Sequence, residues 1–280
     1  MNKIYILLFG VLFFTSCGDE NLNDIADSQF VVEAFLFAGE PVDDIKIKTT
    51  FPLTSEDDTS APINNAQVTI IKEGARFPLV SSDSEGNYNY PGDDLTVETG
   101  DVFELEVIAN GITATAITTV PTPTTGLSIS QDTIKVPQLS LSSGMAAIVN
   151  TIQEFLQESS IDASWDNPEE DLYFMVVESA DDTFIPIFPQ QVLDALETFR
   201  FVSEPTNESS LSFLAGTLVS FGSYTVEVFH INQEYADLYE NRTQDSRDLN
   251  EPPSNINNGV GVFSAFNSDR RTFYVVPDRP

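Results

Sequence analysis

Phe103-Glu104-Leu105-Glu106-Val107 is the stretch that decides the fold class, because apolar and acidic side chains alternate along it without interruption. A period of two places the three apolar side chains on one face of an extended strand and the two carboxylates on the other. A helix buried on one side would instead need apolar residues at spacings of three and four. The stretch therefore predicts a half-buried strand of an antiparallel sheet within residues 102–109.

Short segments with the same strand character lie on both sides of this stretch. They are bounded by turn residues and show no helical period. They comprise Phe30 to Phe37, Ile45 to Lys48, Ala66 to Lys72, Phe77 to Ser81, Asn87 to Tyr90 and Thr113 to Val120. Together with residues 102–109 they make about seven strands, which favours an immunoglobulin-like antiparallel β-sandwich over residues 28–121.

A proline-rich segment separates this pattern from the rest of the chain. Pro121 and Pro123 fix extended backbone and cannot donate to a sheet, so we place a linker at residues 122–126. Strand patterns resume in residues 127–280 and predict a second sandwich. Its predicted strands are Leu127 to Ile129, Thr133 to Val136, Ala163 to Trp165, Leu172 to Glu178, Leu211 to Phe221, Tyr224 to Ile231, Gly259 to Phe266 and Thr272 to Val276.

Three segments of this second half show helical rather than strand character. Apolar residues recur at helical spacing near residues 145–157 and 189–199, which predicts helical insertions that pack against the sandwich. Neither segment carries the basic polar face that helices at a membrane surface use. Residues 234–241 predict a further short helix before a polar loop.

Acidic side chains dominate the composition and limit the classes of partner. The 280-residue chain has 44 acidic and 12 basic side chains, a formal charge of −32 and 41% hydrophobic residues. This apolar content is sufficient for folded cores. The charge repels phosphate backbones, which argues against nucleic-acid binding. It also repels anionic membrane surfaces, so membrane attachment must depend on acyl chains.

The N-terminus has the layout of a secretory signal. The apolar run Ile4 to Phe14 is too short to span a bilayer and leads to two small residues, Thr15 and Ser16. Cys17, the only cysteine in the chain, comes next. This order resembles the bacterial lipobox, in which the cysteine is lipidated and becomes the new N-terminus. Residues 1–17 are therefore predicted to be a lipoprotein signal peptide, with ordinary secretion or a retained helix as alternatives.

A short acidic tether at residues 18–27 follows the predicted anchor. Within it, Asp19 and Glu20 resemble the acidic signal that sends many Bacteroidota lipoproteins to the cell surface. The resemblance implies an outer-membrane protein that faces outward, and the alternative is a solvated linker that faces the periplasm. Lipidation of Cys17 would also leave no thiol for a disulfide, a zinc site or a nucleophilic cysteine.

Later segments resemble known protein families. Residues 65–70, 82–88 and 100–107 follow the order of carboxypeptidase-regulatory-like modules, and Trp165 ahead of residues 172–177 looks like the early strands of a fibronectin-III-like fold. The stretch PPSNINNGVGVF, residues 252–263, resembles the closing motif of the Bacteroidota lipoproteins grouped as domain of unknown function 4249. This resemblance implies a two-domain envelope lipoprotein of the kind found among outer-membrane nutrient-uptake proteins, and it implies no catalytic residue.

Two further sites are candidates for ligand binding or modification. Asp83, Glu85 and Asn87 offer oxygen ligands at alternate positions, which suits Ca²⁺, although the EF-hand spacing and its distal bidentate glutamate are missing. The alternative is a hairpin turn with Gly86 or Asn87 at positive φ. Beyond this possible Ca²⁺, no cofactor is predicted. Asp132-Thr133-Ile134 resembles the short acceptor motif for O-glycosylation in Bacteroidota, so Thr133 is the candidate residue.

These patterns favour a binding protein over an enzyme. His230 is the only histidine, and no G-x-S-x-G nucleophile motif accompanies it. We expect a non-catalytic accessory subunit of an envelope assembly, with a TonB-dependent transporter as the expected partner, an assignment that rests on family analogy. The main alternative is a structural or adhesive surface protein. A third option is a hydrolase that uses paired carboxylates, which would need several acids converging in a cleft.

Overall fold

The computed structural model describes residues 30–50, 60–137, 150, 160–187, 200–215, 218–240 and 253–278. The predicted helical insertions near 145–157 and 189–199 lie outside these residues apart from position 150. The described part of the chain is mainly β, and the helix α1 spans Gln233–Glu240. This confirms the predicted fold class and the short helix expected near residue 234.

The described residues form seventeen strands, most of them short. In chain order these are β1 Phe30–Phe37, β2 Asp44–Thr49, β3 Gln67–Lys72, β4 Ala75–Pro78, β5 Val80–Ser81, β6 Asn87–Asn89, β7 Val102–Ala109, β8 Ile112–Thr119, β9 Ser128–Ile129, β10 Thr133–Val136, β11 Ser160–Ser164, β12 Leu172–Ser179, β13 Ile185–Pro186, β14 Arg200–Val202, β15 Ser210–Leu214, β16 Ser220–Ile231 and β17 Val260–Pro277.

The first sandwich encloses its core between two sheets. One sheet has the order β4-β3-β7-β8, and the other contributes the run β17-β1-β2-β6-β5 of a larger sheet. The alternation that predicts β7 is present in the structure, because Phe103, Leu105 and Val107 are buried while Glu104 and Glu106 are not. Their core neighbours include Phe30 and Ile47 from the opposite sheet. Period-two patterning therefore directs each strand to this core.

The second sandwich repeats this arrangement with other strands. A three-stranded sheet, β15-β11-β9, shares a core with the run β14-β12-β16-β17 of the larger sheet. Ile161 and Phe213 from the small sheet meet Val226 and Phe273 from the large one. Trp165, the only tryptophan in the chain, is 4% exposed in this core, as expected for a sandwich tryptophan.

β17 belongs to both sandwiches and joins them through one continuous sheet. Its first part, residues 260–266, pairs in parallel with β1, and residues 267–275 pair antiparallel with β16. A short parallel pairing with β10 completes it. Phe263 and Ala265 enter the first core, while Phe273 and Val275 enter the second.

This continuity corrects the prediction of two separate strands at Gly259 to Phe266 and Thr272 to Val276. The polar residues 267–271 interrupt the apolar pattern, yet they remain hydrogen-bonded to β16. They lie where the strand passes from one core to the other, so burial does not demand apolar side chains there. The prediction of one strand at Leu211 to Phe221 is also wrong, since this stretch contributes to both β15 and β16.

Residues 255–258 of the closing motif cover one edge of the first sandwich. Asn255 donates its side-chain amide to the carbonyl of Phe263 at 2.7 Å and accepts the Phe263 N–H at 2.9 Å, so it satisfies the backbone as a neighbouring strand would. Asn257 exchanges two backbone hydrogen bonds with Thr115 of β8. Asn258 donates to the carbonyl of Thr113 at 3.2 Å. The motif thus covers the edge of β8, which would otherwise expose unpaired backbone groups.

The first core is not confined to the predicted first domain. Besides residues from the first half of the chain, it includes Ile256, Phe263 and Ala265 from the closing segment. The division into 28–121, a linker at 122–126 and 127–280 stays a prediction about how the chain is organised.

Candidate functional site

The anchor and address residues Cys17, Asp19 and Glu20 lie outside the described part of the chain. The roles predicted for them therefore stay predictions. In the described part, no helix combines the length and the apolar character that crossing a membrane requires.

Asp83 and Asn87 come together in the turn between β5 and β6. One Asp83 carboxylate oxygen accepts the Glu85 N–H at 2.7 Å and the other accepts the Asn87 side-chain amide at 2.6 Å. The hydrogen bonds from Asn87 and then from Glu85 hold the pKa of Asp83 below its ordinary value. Gly86 has φ +82°, as the alternative hairpin reading predicts. The carboxylate therefore already serves as the acceptor that fixes this turn.

The calcium site at Asp83, Glu85 and Asn87 stays a prediction. Within the described ranges, no group of three or more acidic, histidine or cysteine side chains is arranged to hold a metal ion. The candidate glycosylation residue, Thr133, is exposed at the start of β10, and the preceding Asp132 accepts the Tyr274 N–H through its carbonyl at 2.9 Å.

His230 contacts the segment that links the two halves of the chain. Its Nδ1 donates to the carbonyl of Thr122 at 2.8 Å, because a carbonyl oxygen can only accept. Its ring stacks on Tyr173 with the centroids 4.7 Å apart, and Nε2 lies 3.5 Å from an Asp171 carboxylate oxygen. With 7% of the residue exposed, His230 fixes the linker to β16.

A polar network crosses the junction between the two sandwiches. Glu234 of α1 accepts the Thr118 hydroxyl of β8 at 2.8 Å and the Ser264 hydroxyl of β17 at 3.4 Å. Asn232 donates to the carbonyl of Thr119 at 2.8 Å. Asn267 donates to the carbonyl of Pro121 at 3.0 Å. These bonds tie the first sandwich and α1 to the shared sheet.

An aromatic groove lies beside α1 at this junction, and it is the candidate functional site. We call it the α1 groove. It has a volume of about 430 Å³ and is lined by Val31, Glu33, Phe35, Tyr235, Leu238, Tyr239, Gly261 and Val262. Apolar clefts with a few polar groups at fixed positions are the usual form of ligand and partner sites.

The aromatic side chains of the α1 groove pack against one another and against Phe266 of β17. Phe35 meets Tyr235 edge to face with ring centroids 5.9 Å apart, and Tyr235 meets Phe266 in the same way at 4.9 Å. The Tyr235 and Tyr239 hydroxyls lie 3.2 Å apart. Burial, followed by this hydroxyl contact, raises the pKa of Tyr235, so the phenol is neutral at physiological pH. The groove can therefore offer ring faces and the neutral hydroxyl of Tyr235.

Glu33 supplies a negative charge to the α1 groove. Nζ of Lys48 lies 3.0 Å from one of its carboxylate oxygens. Asp44 stands opposite Phe35 in the β1–β2 register, so both side chains lie on the same face of the sheet. Desolvation of its carboxylate raises the pKa of Asp44, the neighbouring Asp43 and Glu33 carboxylates raise it further, and Lys46 partly offsets them. The face beside the groove therefore carries carboxylates together with the lysines Lys46 and Lys48.

A second exposed apolar patch lies on the outer face of the four-stranded sheet. Val102 is 54% exposed and Ile117 is 63% exposed, and both line a shallow hollow with Ile71. Aromatic side chains are missing from its lining. We call this surface the outer patch.

Sequence reasoning missed the α1 groove. Its walls come from β1, α1 and β17, which are distant in the sequence and meet only when β17 joins the two sandwiches. One local signal was available, because Tyr235, Leu238 and Tyr239 lie at spacings of three and four on one side of the helix. That pattern alone does not distinguish a buried helix face from a binding surface.

Comparisons with known proteins agree with the sequence resemblance. A family model described as "Domain of unknown function (DUF4249)" matches residues 19–272. None of the curated proteins matches the chain.

Several solved structures with fibronectin type-III domains are similar to the chain at low identity. A two-domain fibronectin type-III segment from chicken tenascin is 10% identical, with 88% of this chain and 98% of that chain covered and a TM-score of 0.24. The FN1-FN3 domains of chicken CNTN1 are 12% identical, with coverages of 87% and 66% and a TM-score of 0.25. The fold described above rests on the strand pairing and the cores, not on these similarities.

Proposed function

The chain belongs to the DUF4249 family, and from that premise we propose that it is a non-catalytic binding subunit of an outer-membrane assembly. Its mature form is tethered by lipid at Cys17 and faces outward, as the acidic pair Asp19 and Glu20 indicates. The partner is a TonB-dependent transporter or a comparable envelope protein. This partner assignment rests on the family resemblance.

The observation that carries the binding role is the α1 groove. Phe35, Tyr235, Leu238 and Tyr239 are only partly buried, although large apolar side chains gain free energy from full burial. Tyrosine is among the residues that dominate binding energy at protein interfaces. A fixed aromatic surface of this kind suits a partner that covers it.

The junction supports the same proposal at a larger scale. The shared β17 and the bonds made by Glu234, Asn232 and Asn267 hold the two sandwiches to each other. The groove walls come from β1, β17 and α1, and the bonds of Glu234 hold α1 to β8 and β17. Pre-organised sites bind with less loss of conformational freedom.

Crosslinking in intact cells, followed by affinity capture and mass spectrometry, tests the binding role. We expect recovery of an outer-membrane transporter in constant ratio to this chain. If capture yields the chain alone and cells still depend on it for attachment to a surface, the adhesive alternative replaces the proposal. Protease treatment of the same intact cells tests the outward orientation, and full protection of the chain would contradict it.

Thr133 is proposed as an O-glycosylation site on the exposed surface of β10. The proposal is supported by the Asp132-Thr133-Ile134 motif and by the exposure of the threonine. The intact mass of the protein purified from its native cells should exceed the mass of the lipidated chain by that of a glycan. Thr133→Val should remove this excess, and an unchanged mass would show that Thr133 is not modified.

A further inference from the structure

Asparagine followed by glycine occurs twice in the chain, and the fold places the two pairs in different settings. Asn110-Gly111 lies between β7 and β8, and Asn258-Gly259 lies in the closing motif. Asparagine is a chemically labile residue. A glycine after it increases the lability, because glycine has no side chain to shield its backbone nitrogen, which can attack the neighbouring amide carbon. The surroundings of each pair therefore decide which of them reacts.

Asn110-Gly111 is the two-residue turn of the β7–β8 hairpin. Ala109 pairs with Ile112 across it, and Asn110 and Gly111 have φ of +52° and +80°. Positive φ at both central residues is typical of a type I′ turn. Both residues are exposed, and among the described residues neither the Asn110 amide nor the Gly111 N–H has a hydrogen-bond partner. The two reacting groups therefore lie unrestrained at the tip of a hairpin.

Asn258-Gly259 has the same two residues, but its surroundings hold them in place. The Asn258 side-chain amide donates to the carbonyl of Thr113 at 3.2 Å. A Cβ placed at Gly259 would lie 3.0 Å from the Ile256 side chain and 3.3 Å from the carbonyl oxygen of Phe30, so this backbone is closely packed. Attack by the Gly259 nitrogen would require the amide to leave Thr113 and the packed backbone to move.

We propose that Asn110 is a site of spontaneous deamidation and that the fold protects Asn258 from the same reaction. The Gly111 nitrogen gives its proton to hydroxide and attacks the side-chain Cγ of Asn110, and the new N–Cγ bond closes a succinimide ring. The Cγ–Nδ2 bond breaks, and Nδ2 takes a proton from water and leaves as ammonia. Water then opens the ring at either carbonyl and gives aspartate or isoaspartate. The net change consumes one water and releases one ammonia.

The two products have different consequences for the hairpin. Aspartate leaves the backbone unchanged, and Asp-Gly suits a type I′ turn as Asn-Gly does. The turn between β3 and β4 shows that an acidic residue fits there, because Glu73 and Gly74 have φ of +51° and +80°. Isoaspartate carries the chain through its side-chain carbon and adds one backbone atom. It should therefore disturb the pairing of Ala109 with Ile112.

A time course on the full lipidated chain, in mild detergent and at mildly alkaline pH, tests the proposal. Peptide mapping by mass spectrometry follows both asparagines in the same molecule, since deamidation raises the peptide mass by the difference between an acid and an amide. We expect Asn110 to convert several-fold faster than Asn258 in the folded chain. In concentrated urea the fold is absent, so the two rates should become similar.

Three results would overturn the proposal. Equal conversion of Asn110 and Asn258 in the folded chain would show that the closing motif gives no protection. Conversion of both asparagines in urea but of neither in the folded chain would show that the β7–β8 turn is itself protective. A rate difference that persists unchanged in urea would assign the selectivity to the neighbouring sequence and not to the fold.

Asn110→Asp separates the added charge from the altered backbone. This variant should keep the urea midpoint of the unmodified chain, because the turn retains its length. Chains aged until Asn110 is largely isoaspartate should unfold at a lower urea concentration. An isoaspartate-rich sample with an unchanged midpoint would contradict the expected disturbance of the hairpin.

Discussion

At the scale of single residues, Gly261 occupies a position that leaves no room for a side chain. Its φ of +116° is a conformation that other residues rarely adopt, and a Cβ placed there would overlap the carbonyl oxygen of Val32. The parallel approach of β1 to β17 depends on this lack of a side chain. The closeness of this glycine to β1 becomes visible only with the tertiary pairing.

Gly261→Ala should therefore lower the free energy of unfolding by about 3 kcal/mol or more, because strained backbone adds to a direct clash. Gly39→Ala is the matched control. Gly39 also has positive φ, at +79°, but no atom lies near its Cβ position, so about 1–2 kcal/mol is expected. Urea unfolding of both variants measures the difference. Equal losses would show that β1 and β17 do not approach as closely as described.

Asp83 gives a pH-dependent contribution at the same scale. Its pKa is lowered in the folded protein by hydrogen bonds from Asn87 and Glu85. Its stabilising effect is therefore complete above the ordinary aspartate pKa of about 3.9 and is lost as the pH falls through the lowered value.

Asp83→Ala should thus lower the urea midpoint at pH 7, and the difference from the unmodified protein should shrink toward zero as the pH falls through the lowered pKa of Asp83. Glu85→Ala in the same turn is the control. Glu85 donates to the Asp83 carboxylate through its backbone N–H, which the substitution keeps. A difference that stays constant with pH would show that the Asp83 carboxylate does not hold the turn.

At the scale of elements, the Asn255 side chain makes the backbone hydrogen bonds that a neighbouring strand would make with β17. Its side-chain amide pairs with both backbone groups of Phe263, which β1 does not satisfy on this side. This gives a physical reason for the asparagine in the closing motif. The motif was identified by resemblance, and its role in covering the edge of β8 came from the structure.

Asn255→Ala should lower the free energy of unfolding by about 1–3 kcal/mol, because two backbone groups of Phe263 lose their partners. Asn207→Ala, in an exposed loop, removes the same chemical group and should change stability by less than about 0.5 kcal/mol. Hydrogen exchange offers an independent measurement, in which the Phe263 amide should exchange faster in Asn255→Ala. Unchanged exchange at Phe263 would contradict the strand-like role of Asn255.

Individual strands could be predicted from sequence where one face is buried and the other is solvated. β7 and β8 are examples, since burial alone imposes their alternation. β17 could not be predicted as one element. Its middle residues are polar because they lie between two cores, and local patterns carry no signal that distant halves of a strand belong together. The α1 groove was missed for the same reason, as its walls meet only through β17.

At the scale of the whole molecule, the shared strand should couple the two sandwiches in unfolding. Phe103 is fully buried in the first core, and Trp165 reports on the second. Phe103→Ala costs about 3–5 kcal/mol in the first core. Because β17 and the junction network belong to both sandwiches, Phe103→Ala should lower the midpoint observed by Trp165 fluorescence.

Val102→Ala is the control for this coupling, since it alters the neighbouring but exposed position of β7 and should leave the Trp165 midpoint unchanged. Thermal or urea unfolding followed by fluorescence gives both midpoints. If Phe103→Ala leaves the Trp165 midpoint unchanged, the sandwiches unfold independently. The junction would then be a contact between separate units and not a rigid connection.

The most direct test of the central claim is co-purification of the full lipidated chain from native membranes in mild detergent. Three forms are compared: unmodified, Leu238→Glu in the α1 groove and Val102→Glu on the outer patch. We expect a stable complex with an outer-membrane transporter in fixed ratio for the unmodified chain and for Val102→Glu. Leu238→Glu should lose this complex while its unfolding midpoint is maintained. A monomer in all three forms, or a complex that survives Leu238→Glu, would contradict it.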